Sequence, residues 1–468
     1  MTHVAVIDIG KTNAKLALVD LNTLKELAVV TRPNTVLPGP PWPHFNVDDI
    51  WDFLLGALAR FQQSHGIDAI SITTHGACAA LIGQDGKLAA PILDYEHEGP
   101  DAIAAAYDAI RPPFEETGAP RLPMGLNLGA QLHWQFEVDP KLRGRTAAVV
   151  TYPQYWGYRL TGAYACDVSS LGCHTDLWNP HTNAFSKLVK RLDIAELIGT
   201  PRKCSDVLGM ILPGIAAQTG LDPTTPVYCG IHDSNASLLP HVLHQTGPFS
   251  VVSTGTWVIA MSMSGHPIQL DSTRDTLINV NALGHPVPSA RFMGGREYDT
   301  ILRGDAADYT QADIMHVAQN GPMLLPSIIT ESGPFQNRHA EWLGAEPSHG
   351  SRERTVAIGF YLALMTAECL ALTGHRGTII IEGPFAGNLS YCSMLATATN
   401  CAVEASGGTT GTSEGAALLA SAPASQLHAS KRRQNYRSGN GPLSEYAKTW
   451  MSKVGAQPVS GGMKLPGN

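Results

Sequence analysis

Residues 227–261 read VYCGIHDSNASLLPHVLHQTGPFSVVSTGTWVIAM, and this stretch decides the fold. A short apolar strand over residues 227–229 leads to Asp233, and the small residues and leucines that follow predict a helix beginning there. A carboxylate at that position lies at the positive end of the helix dipole. A second strand breaks at Thr254-Gly255-Thr256, a turn of hydroxyls and backbone amides, and resumes as the return strand of a hairpin. This combination suggests phosphoryl transfer; the alternative is an N-cap aspartate followed by an ordinary hairpin.

The N-terminus repeats the hairpin. Residues 4–8 predict an apolar strand, residues 9–13 a turn built on Gly10 and Thr12, and residues 14–20 the return strand. Each of the two hairpins opens about half of the chain. The sequence therefore predicts a duplicated fold with two phosphate-binding turns.

Composition limits the class of protein. A length of 468 residues predicts two or three domains. The net charge of −8 excludes a general electrostatic attraction to nucleic acid or anionic membranes. Eight cysteines without a C-x-x-C pair indicate the reduced thiols of a cytoplasmic protein. The N-terminus has no targeting segment, and the apolar residues 356–367 are too few to span a bilayer, so they predict a buried helix.

Three further segments have clear local signals. Residues 48–65 predict a helix capped by Asp48 and ended by Gly66. Residues 67–74 predict a strand that ends at Thr74-His75-Gly76, and α/β proteins bind ligands at such strand ends. Residues 444–454 predict a short helix near the C-terminus.

Five segments, in this order, resemble the motifs of the FGGY carbohydrate kinases, which share a fold with heat-shock ATPases and actin. They are DIGKTNAKLALVD (8–20), TTHGA (73–77), GIHDSNAS (230–237), STGTWV (253–258), and EGPFAGNLSYCSMLATATNCAVEA (382–405) followed by EGAALLA (414–420). Two more, PQYWGYRLTG (153–162) and NLGAQLHW (127–134), are most similar to rhamnulose kinases. Within the family the chain as a whole most resembles rhamnulose and fuculose kinases. No P-loop motif, G-x-x-x-x-G-K-[ST], occurs in the chain.

The resemblance implies an α/β fold of two actin-like, ribonuclease H-like domains with a nucleotide and sugar cleft between them. Residues 1–245 would form the N-terminal domain, which binds the sugar and carries the catalytic aspartate. Residues 246–468 would form the ATP-binding C-terminal domain, with a polar tail from about residue 423.

The resemblance also implies a role for individual residues. Asp233 would be the catalytic base, and Asp8 and Asp233 would hold Mg²⁺. The sugar-binding residues would be Thr74, His75, Gly76, Asp94, Glu96, His232 and Asp233. The ATP-binding residues would be Gly10, Lys11, Thr12, Asn13, Lys15, Thr254, Gly255, Thr256, Gly383, Pro384, Gly387 and Asn388.

Several positions leave alternatives open. His75 either hydrogen-bonds a sugar hydroxyl or is a structural histidine. Asn127 and Gln131 share a helix face and either reach the sugar or bond to local backbone. Arg291 and Arg296 are competing candidates for ATP phosphates, and Arg296 has Glu297 beside it as an alternative partner.

The sugar loop at residues 91–99 departs from the family pattern. Relatives usually carry an aromatic residue and then D-x-R there. In this chain Glu96 takes the aspartate position and the arginine is missing, with Glu98 near its place. This departure from the family pattern affects which sugar we expect to bind more than it affects the expected reaction.

Three functions compete. The first is an ATP-dependent kinase of a small sugar, with a ketose such as L-rhamnulose or L-fuculose as substrate and xylulose or a polyol as the alternative. The second is a nucleotide-driven switch of the actin or heat-shock type, and the third is a sugar-sensing pseudokinase. The expected partners are a sugar and MgATP, without nucleic acid or membrane. A homodimer is expected only from the base rate among soluble enzymes.

Overall fold

The computed structural model describes residues 2–406, 411–421, 433–439 and 441–456. These residues fold into two compact units. The first unit comprises residues 2–244, 278–286 and 411–421, and the second comprises residues 245–277, 287–406, 433–439 and 441–456. Of the predicted polar tail from residue 423, residues 423–432, 440 and 457–468 lie outside the described residues.

Residues 2–244 alternate short strands with helices. The strands are β1 (His3–Ile9), β2 (Asn13–Asp20), β3 (Lys25–Pro33), β4 (Val36–Leu37), β5 (His44–Phe45), β6 (Ala69–Thr74), β7 (Ala79–Gly83), β8 (Thr146–Thr151), β9 (Cys166–Asp167), β10 (Trp178–Asn179), β11 (Ala184–Phe185), β12 (Pro201–Arg202), β13 (Val207–Met210), β14 (Pro226–Tyr228) and β15 (Ile231–His232). The helices are α1 (Val47–His65), α2 (Ala104–Ile110), α3 (Phe114–Thr117), α4 (Leu128–Val138), α5 (Leu142–Arg145), α6 (Tyr152–Thr161), α7 (Val168–Leu171), α8 (Lys187–Arg191), α9 (Pro213–Thr219) and α10 (Asp233–His244).

The remaining elements begin with the two strands of the second hairpin, β16 and β17. The strands are β16 (Phe249–Thr254), β17 (Val258–Met263), β18 (Thr276–Val280), β19 (Pro286–Phe292), β20 (Met323–Leu325), β21 (Glu341–Leu343), β22 (Thr378–Glu382), β23 (Val403–Ser406) and β24 (Arg433–Tyr436). The helices are α11 (Gly294–Leu302), α12 (Gln311–Asn320), α13 (Arg352–Leu372), α14 (Leu389–Thr399), α15 (Thr412–Ala417) and α16 (Pro442–Ala456).

The two main sheets repeat one strand order. In the first, β3-β2-β1-β6-β14 are neighbours, and in the second β19-β17-β16-β22-β23 are neighbours. The hairpin strands pair antiparallel in both sheets, β1 with β2 and β16 with β17. On its other side, the first strand of each hairpin pairs parallel with a third strand, β1 with β6 and β16 with β22. The predicted duplication and the two-domain α/β class are therefore confirmed.

The first sheet is covered on both faces, because neighbouring side chains of a strand point to opposite sides. Val4 and Val6 pack into one apolar cluster, and Ala5 and Ile7 pack into the other. Helix α1 packs its apolar face into the second cluster, as its buried residues show. Asp8 continues the spacing of Val4 and Val6, which places its side chain on the first of these faces.

Helix α1 corrects one local prediction. Asp48 does not cap it, because the helix begins at Val47 and Asn46 occupies the N-cap position. Asp48 instead lies in the first turn, where a carboxylate still interacts favourably with the helix dipole. Gly66 ends the helix with a φ of 77°, as predicted.

Helix α13 is the predicted buried helix and extends beyond residues 356–367. Among the described residues it alone is long and apolar enough to cross a membrane, but 83% of its most apolar window is buried inside the protein. It is the central helix of the apolar cluster in the second unit. All eight cysteines are unpaired thiols and seven of them are buried, in agreement with the prediction of reduced thiols.

Candidate active site

Three parallel strands of the first unit end side by side. Asp8 of β1 is level with Thr73 of β6, and Thr73 is level with Ile231 of β15. Because the same ends of parallel strands meet at one edge, the residues that follow them gather there: the turn at 10–12, the segment 74–76 and the pair His232-Asp233. Two strand spacings separate the backbones of Asp8 and Ile231, which is roughly 10 Å.

Asp233 is the first residue of helix α10. Its Oδ1 accepts hydrogen bonds from the Ser234 amide at 2.6 Å and the Ser234 hydroxyl at 3.3 Å. His232 Nε2 lies 3.3 Å from the same oxygen. The side chain is partly exposed, which suits a carboxylate that must reach a substrate.

His232 is buried between Asp233 and Cys173. Its Nε2 lies 3.7 Å from Cys173 Sγ, and its backbone amide donates to Ser169 Oγ at 3.0 Å. Burial opposes protonation, but the charges of Cys173 and Asp233 outweigh it and raise the pKa of His232. Gly76 faces the ring so closely that a Cβ there would lie 2.8 Å from His232 Nε2. The ring is therefore held in place as a donor beside Asp233.

His75 has one satisfied and one unsatisfied ring nitrogen. Its Nδ1 lies 2.8 Å from the Gly76 carbonyl, which can only accept, so Nδ1 carries the proton. Burial lowers the pKa of His75 to about 4, and the ring is neutral at pH 7. Its buried Nε2, without a partner among the described residues, is thus a hydrogen-bond acceptor. Phe45, Tyr95 and Tyr152 surround the ring at centroid distances of 5.0–5.3 Å.

Asp8 has two partners. Lys15, directly opposite in the hairpin, places Nζ 3.2 Å from Asp8 Oδ2, and Thr412 of α15 donates its hydroxyl to the same oxygen. The strand register therefore brings Lys15 to Asp8. Mg²⁺ prefers carboxylate oxygens and keeps several water ligands, so Asp8 and Asp233 fit a hydrated ion held at this edge. Among the described residues, no cluster of three His, Cys, Asp or Glu side chains forms a complete ligand set.

The turn after β1 is tight and partly exposed. The Gly10 amide donates to the Asn13 carbonyl at 2.8 Å, and Asn34 bonds to the backbone of Gly10 and Thr12. The side chains of Thr12 and Asn13 are exposed. Phosphate binding by this turn stays a prediction, and its polar groups are accessible to a ligand.

Lys11 extends from that turn to the sugar loop. Its Nζ bonds to Asp94 and lies 3.1 Å from Glu96 Oε2. It also lies over the rings of Tyr95 and Phe45, at 4.7 and 5.3 Å from their centroids. The predicted sugar-loop carboxylates are therefore in contact with a residue that was predicted to bind ATP.

Asn127 and Gln131 bond to nearby backbone. Asn127 accepts from the Leu122 amide and donates to the carbonyls of Pro120 and His174. The Gln131 side chain donates to the carbonyls of Ala77 and Gly125. Of the two alternatives, the geometry favours the structural one.

A cavity of about 900 Å³ opens in the second unit. It is lined in part by three segments: the turn after β16, the first turn of α11 and the turn after β22. Its lining includes the predicted residues Gly255, Thr256, Pro384, Gly387 and Asn388, together with Arg296, Tyr298, Asp299, Asp308, Tyr309 and Thr355. This volume lies in the range of cofactor pockets.

Two predicted ATP residues have packing roles beside this cavity. The Thr254 hydroxyl donates to the Glu382 carbonyl and accepts from the Phe385 amide. Gly383 has a φ of 85°, and a Cβ there would lie 1.9 Å from the Thr254 carbonyl oxygen. A glycine is thus required at position 383 because its backbone lies against the Thr254 carbonyl. At Gly387, a Cβ would meet nothing within 4 Å.

The two candidate arginines, Arg291 and Arg296, differ in what they contact. Arg291 pairs with Asp275 at 2.8 Å and stacks on Trp257, whereas Arg296 lines the cavity.

Glu297 is fully buried and accepts hydrogen bonds from the Ile329 amide and the Tyr361 hydroxyl. Burial raises the pKa of Glu297 to about 7.

The sequence interpretation missed several neighbours of these residues. Thr412 bonds to Asp8 although it lies far along the chain, and Cys173 contacts His232. Asp299 lies three residues after Arg296 on the same helix, so it could have been included from helix geometry. The other partners are brought together only by the tertiary fold.

Two family models match adjoining parts of the chain. Residues 3–240 match the N-terminal domain of the FGGY family of carbohydrate kinases, and residues 246–429 match the C-terminal domain of carbohydrate kinase FGGY. The solved structure of a carbohydrate kinase from Novosphingobium aromaticivorans is similar over 97% of this chain and 99% of that one, with 35% identity and a TM-score of 0.89.

Two curated relatives are more distant. The L-fuculokinase of Escherichia coli (strain K12) is 26% identical over 282 residues, and the match spans 56% of this chain and 56% of that protein. The xylulose kinase of Bacillus subtilis (strain 168) is 22% identical, over 90% of this chain and 88% of that protein. The match thus spans little more than half of the fuculokinase.

The fold and the family matches define a two-domain carbohydrate kinase architecture. The chain belongs to the FGGY family of carbohydrate kinases, whose members are sugar phosphotransferases that use ATP with Mg²⁺.

Proposed function

We propose that this protein transfers the terminal phosphoryl group of MgATP to a hydroxyl of a small neutral sugar. The observation that carries the proposal is the strand edge of the first unit. It places the partly exposed Asp233 carboxylate next to the buried donor His232. The same edge carries His75, whose unpartnered Nε2 can accept a hydrogen bond from a second sugar hydroxyl. Such paired donors and acceptors suit a polyhydroxylated ligand.

Asp233 is the proposed base. As the sugar oxygen forms its bond to the γ-phosphorus, the bond from that phosphorus to the leaving oxygen of ADP breaks, and Asp233 accepts the hydroxyl proton. This chemistry depends on positioning and on electrostatic stabilisation more than on covalent catalysis. His232 keeps the Asp233 side chain oriented through its contact with Oδ1.

The second unit supplies the proposed nucleotide site. Gly255 and Thr256 would offer amide and hydroxyl donors to phosphate oxygens, and Arg296 would add positive charge in the same cavity. Asp8 and Asp233 would hold the hydrated Mg²⁺, which when bound neutralises phosphate charge. Thr412 and Lys15 orient the Asp8 carboxylate for this role.

A deoxy-ketose such as L-rhamnulose or L-fuculose is the first candidate substrate. The partial similarity to an L-fuculokinase supports it. Xylulose is the second candidate, and the longer match to a xylulose kinase supports it. The presence of Asp8, Asp233 and both glycine-containing turns argues against a pseudokinase, and the unsatisfied His75 argues against a nucleotide switch that has no sugar ligand.

The test is a substrate panel. The protein is incubated with MgATP and, separately, L-rhamnulose, L-fuculose, xylulose, glycerol and aldoses, while ADP release and the sugar phosphate are both measured. We expect one ketose to be phosphorylated at least about tenfold faster than the rest, which corresponds to one net hydrogen bond in the site. ADP release without any phosphorylated sugar would favour the nucleotide switch, and no ADP release with bound sugar would favour the pseudokinase.

We place the enzyme in the cytoplasm. The eight unpaired thiols suit a reducing compartment. A homodimer is proposed only on the base rate for soluble enzymes, and sedimentation analysis of the purified protein decides it.

A further inference from the structure

The side chain of Lys11 belongs to the sugar loop although its backbone belongs to the first phosphate turn. Its Nζ bonds to Asp94 Oδ1 and lies 3.1 Å from Glu96 Oε2. The Glu96 amide donates to Asp94 Oδ1 at 3.3 Å, which holds the two carboxylates on one turn of the loop. Lys11 therefore bridges both of them.

The aromatic rings under Lys11 are the rings that enclose His75. Nζ lies 4.7 Å from the centroid of Tyr95 and 5.3 Å from that of Phe45. These two rings contact the His75 ring at 5.3 and 5.1 Å. The ammonium and the unpartnered His75 Nε2 thus belong to one side-chain cluster, and any sugar bound at His75 lies close to the charges around Lys11.

The charges of this cluster do not cancel. Asp94 and Glu96 carry two negative charges against the single positive charge of Lys11, and His75 is neutral because burial lowers its pKa. The ammonium is also occupied by two carboxylates, so it is not available to a carboxylate on a ligand.

We propose that Lys11 is a specificity residue of the sugar subsite: it holds Asp94 and Glu96 as hydroxyl acceptors and leaves a net negative charge that admits neutral sugars and rejects sugar acids. This inference rests on the proposed sugar kinase activity and moves Lys11 from the ATP-binding set to the sugar-binding set. Lys11 acts through the two carboxylates and is a positioning residue.

Variants of Lys11 distinguish a role in sugar binding from a role in ATP binding. Lys11→Met leaves two uncompensated carboxylates, so we expect the KM for the preferred ketose to rise ten- to hundredfold, with the KM for MgATP changed less than twofold. Lys11→Arg keeps the charge and should restore much of the sugar affinity. Lys25→Met, an exposed lysine in the same sheet, is the matched control and should behave as wild type.

The charge argument has its own test. The double variant Asp94→Asn with Glu96→Gln frees the Lys11 ammonium, so calorimetry should detect binding of an aldonate that wild type does not bind. Melting temperatures establish that each variant is folded. A Lys11→Met variant with a raised KM for MgATP and an unchanged KM for the ketose would overturn the inference while leaving the kinase proposal intact.

The two proposals fail in different ways. Wild-type protein that binds a ketose by calorimetry but phosphorylates nothing would contradict the kinase proposal, and the effect of Lys11→Met on that binding would still decide the inference. Wild-type binding of aldonate as tight as that of the ketose would overturn the charge selection. An absence of binding of every sugar in the panel would overturn both.

Discussion

Lys15 lies directly opposite Asp8 in the first hairpin, and its Nζ is 3.2 Å from Asp8 Oδ2. Both side chains come from strand positions next to the turn at residues 10–12, and Thr412 bonds to the same oxygen of Asp8. The carboxylate is thus oriented by a cation and a hydroxyl before any metal binds. A carboxylate held in this way is suited to a hydrated Mg²⁺.

Asp8→Asn should raise the Mg²⁺ concentration required for half-maximal activity by about tenfold or more, because an amide is a weaker ligand than a carboxylate. Turnover as a function of free Mg²⁺ at fixed ATP measures this effect. Asp20→Asn, at the opposite end of the same hairpin, is the control. An unchanged Mg²⁺ dependence would remove Asp8 from the metal site.

His75→Ala should raise the KM for the sugar roughly tenfold and leave the KM for MgATP unchanged, because His75 Nε2, which has no partner among the described residues, is the proposed acceptor for a sugar hydroxyl. Steady-state kinetics in both substrates, with His316→Ala as an exposed control, measure the effect. A change confined to ATP would mean that His75 serves the nucleotide.

The two arginines of the second unit should respond in opposite ways. Arg296→Met should raise the KM for MgATP, because Arg296 lines the cavity, with little change in melting temperature. Arg291→Met breaks the ion pair with Asp275 and should cost about 1–3 kcal/mol of stability without a change in that KM. The reverse pattern would show that the nucleotide binds elsewhere.

Buried Glu297 should make stability depend on pH. Burial raises its pKa from 4.5 to about 7, so between these values the folded state keeps a proton that the unfolded state releases. The free energy of unfolding should therefore fall as pH rises from about 4.5 to 7, by up to about 3 kcal/mol from this group. The loss remains above pH 7.

Glu297→Gln isolates this contribution from that of the histidines. Denaturant unfolding of both proteins between pH 4.5 and 8 should give a variant that gains stability relative to wild type as pH rises. Parallel pH curves would contradict the raised pKa.

Local patterns predicted much of the fold. Alternating apolar residues identified both hairpins, and the small residues after Asp233 placed the start of α10 correctly. These features depend on neighbours in sequence, which a single chain displays directly. The wrong cap at Asp48 came from the same kind of reasoning, because Asn46 two residues earlier was an equally suitable start.

The side-chain partners could not be predicted in the same way. Thr412 reaches Asp8 because α15 packs against β1 and against α10. Gly415 permits the close approach to α10, since a Cβ there would lie 1.8 Å from the Ala236 carbonyl oxygen. The Thr254 hydroxyl was predicted to face phosphate, but it bonds to the backbone after β22. Such pairings depend on contacts between distant segments.

The most direct test of the account is the turnover of Asp233→Asn. As the proposed base, Asp233 acts in the chemical step, so at saturating Mg²⁺, where the weaker amide ligand matters least, the variant should keep its melting temperature and its ATP affinity. Turnover with the preferred sugar should fall by roughly a hundredfold to ten-thousandfold, the usual contribution of a positioned base. Near-wild-type turnover in this variant would contradict the proposed mechanism.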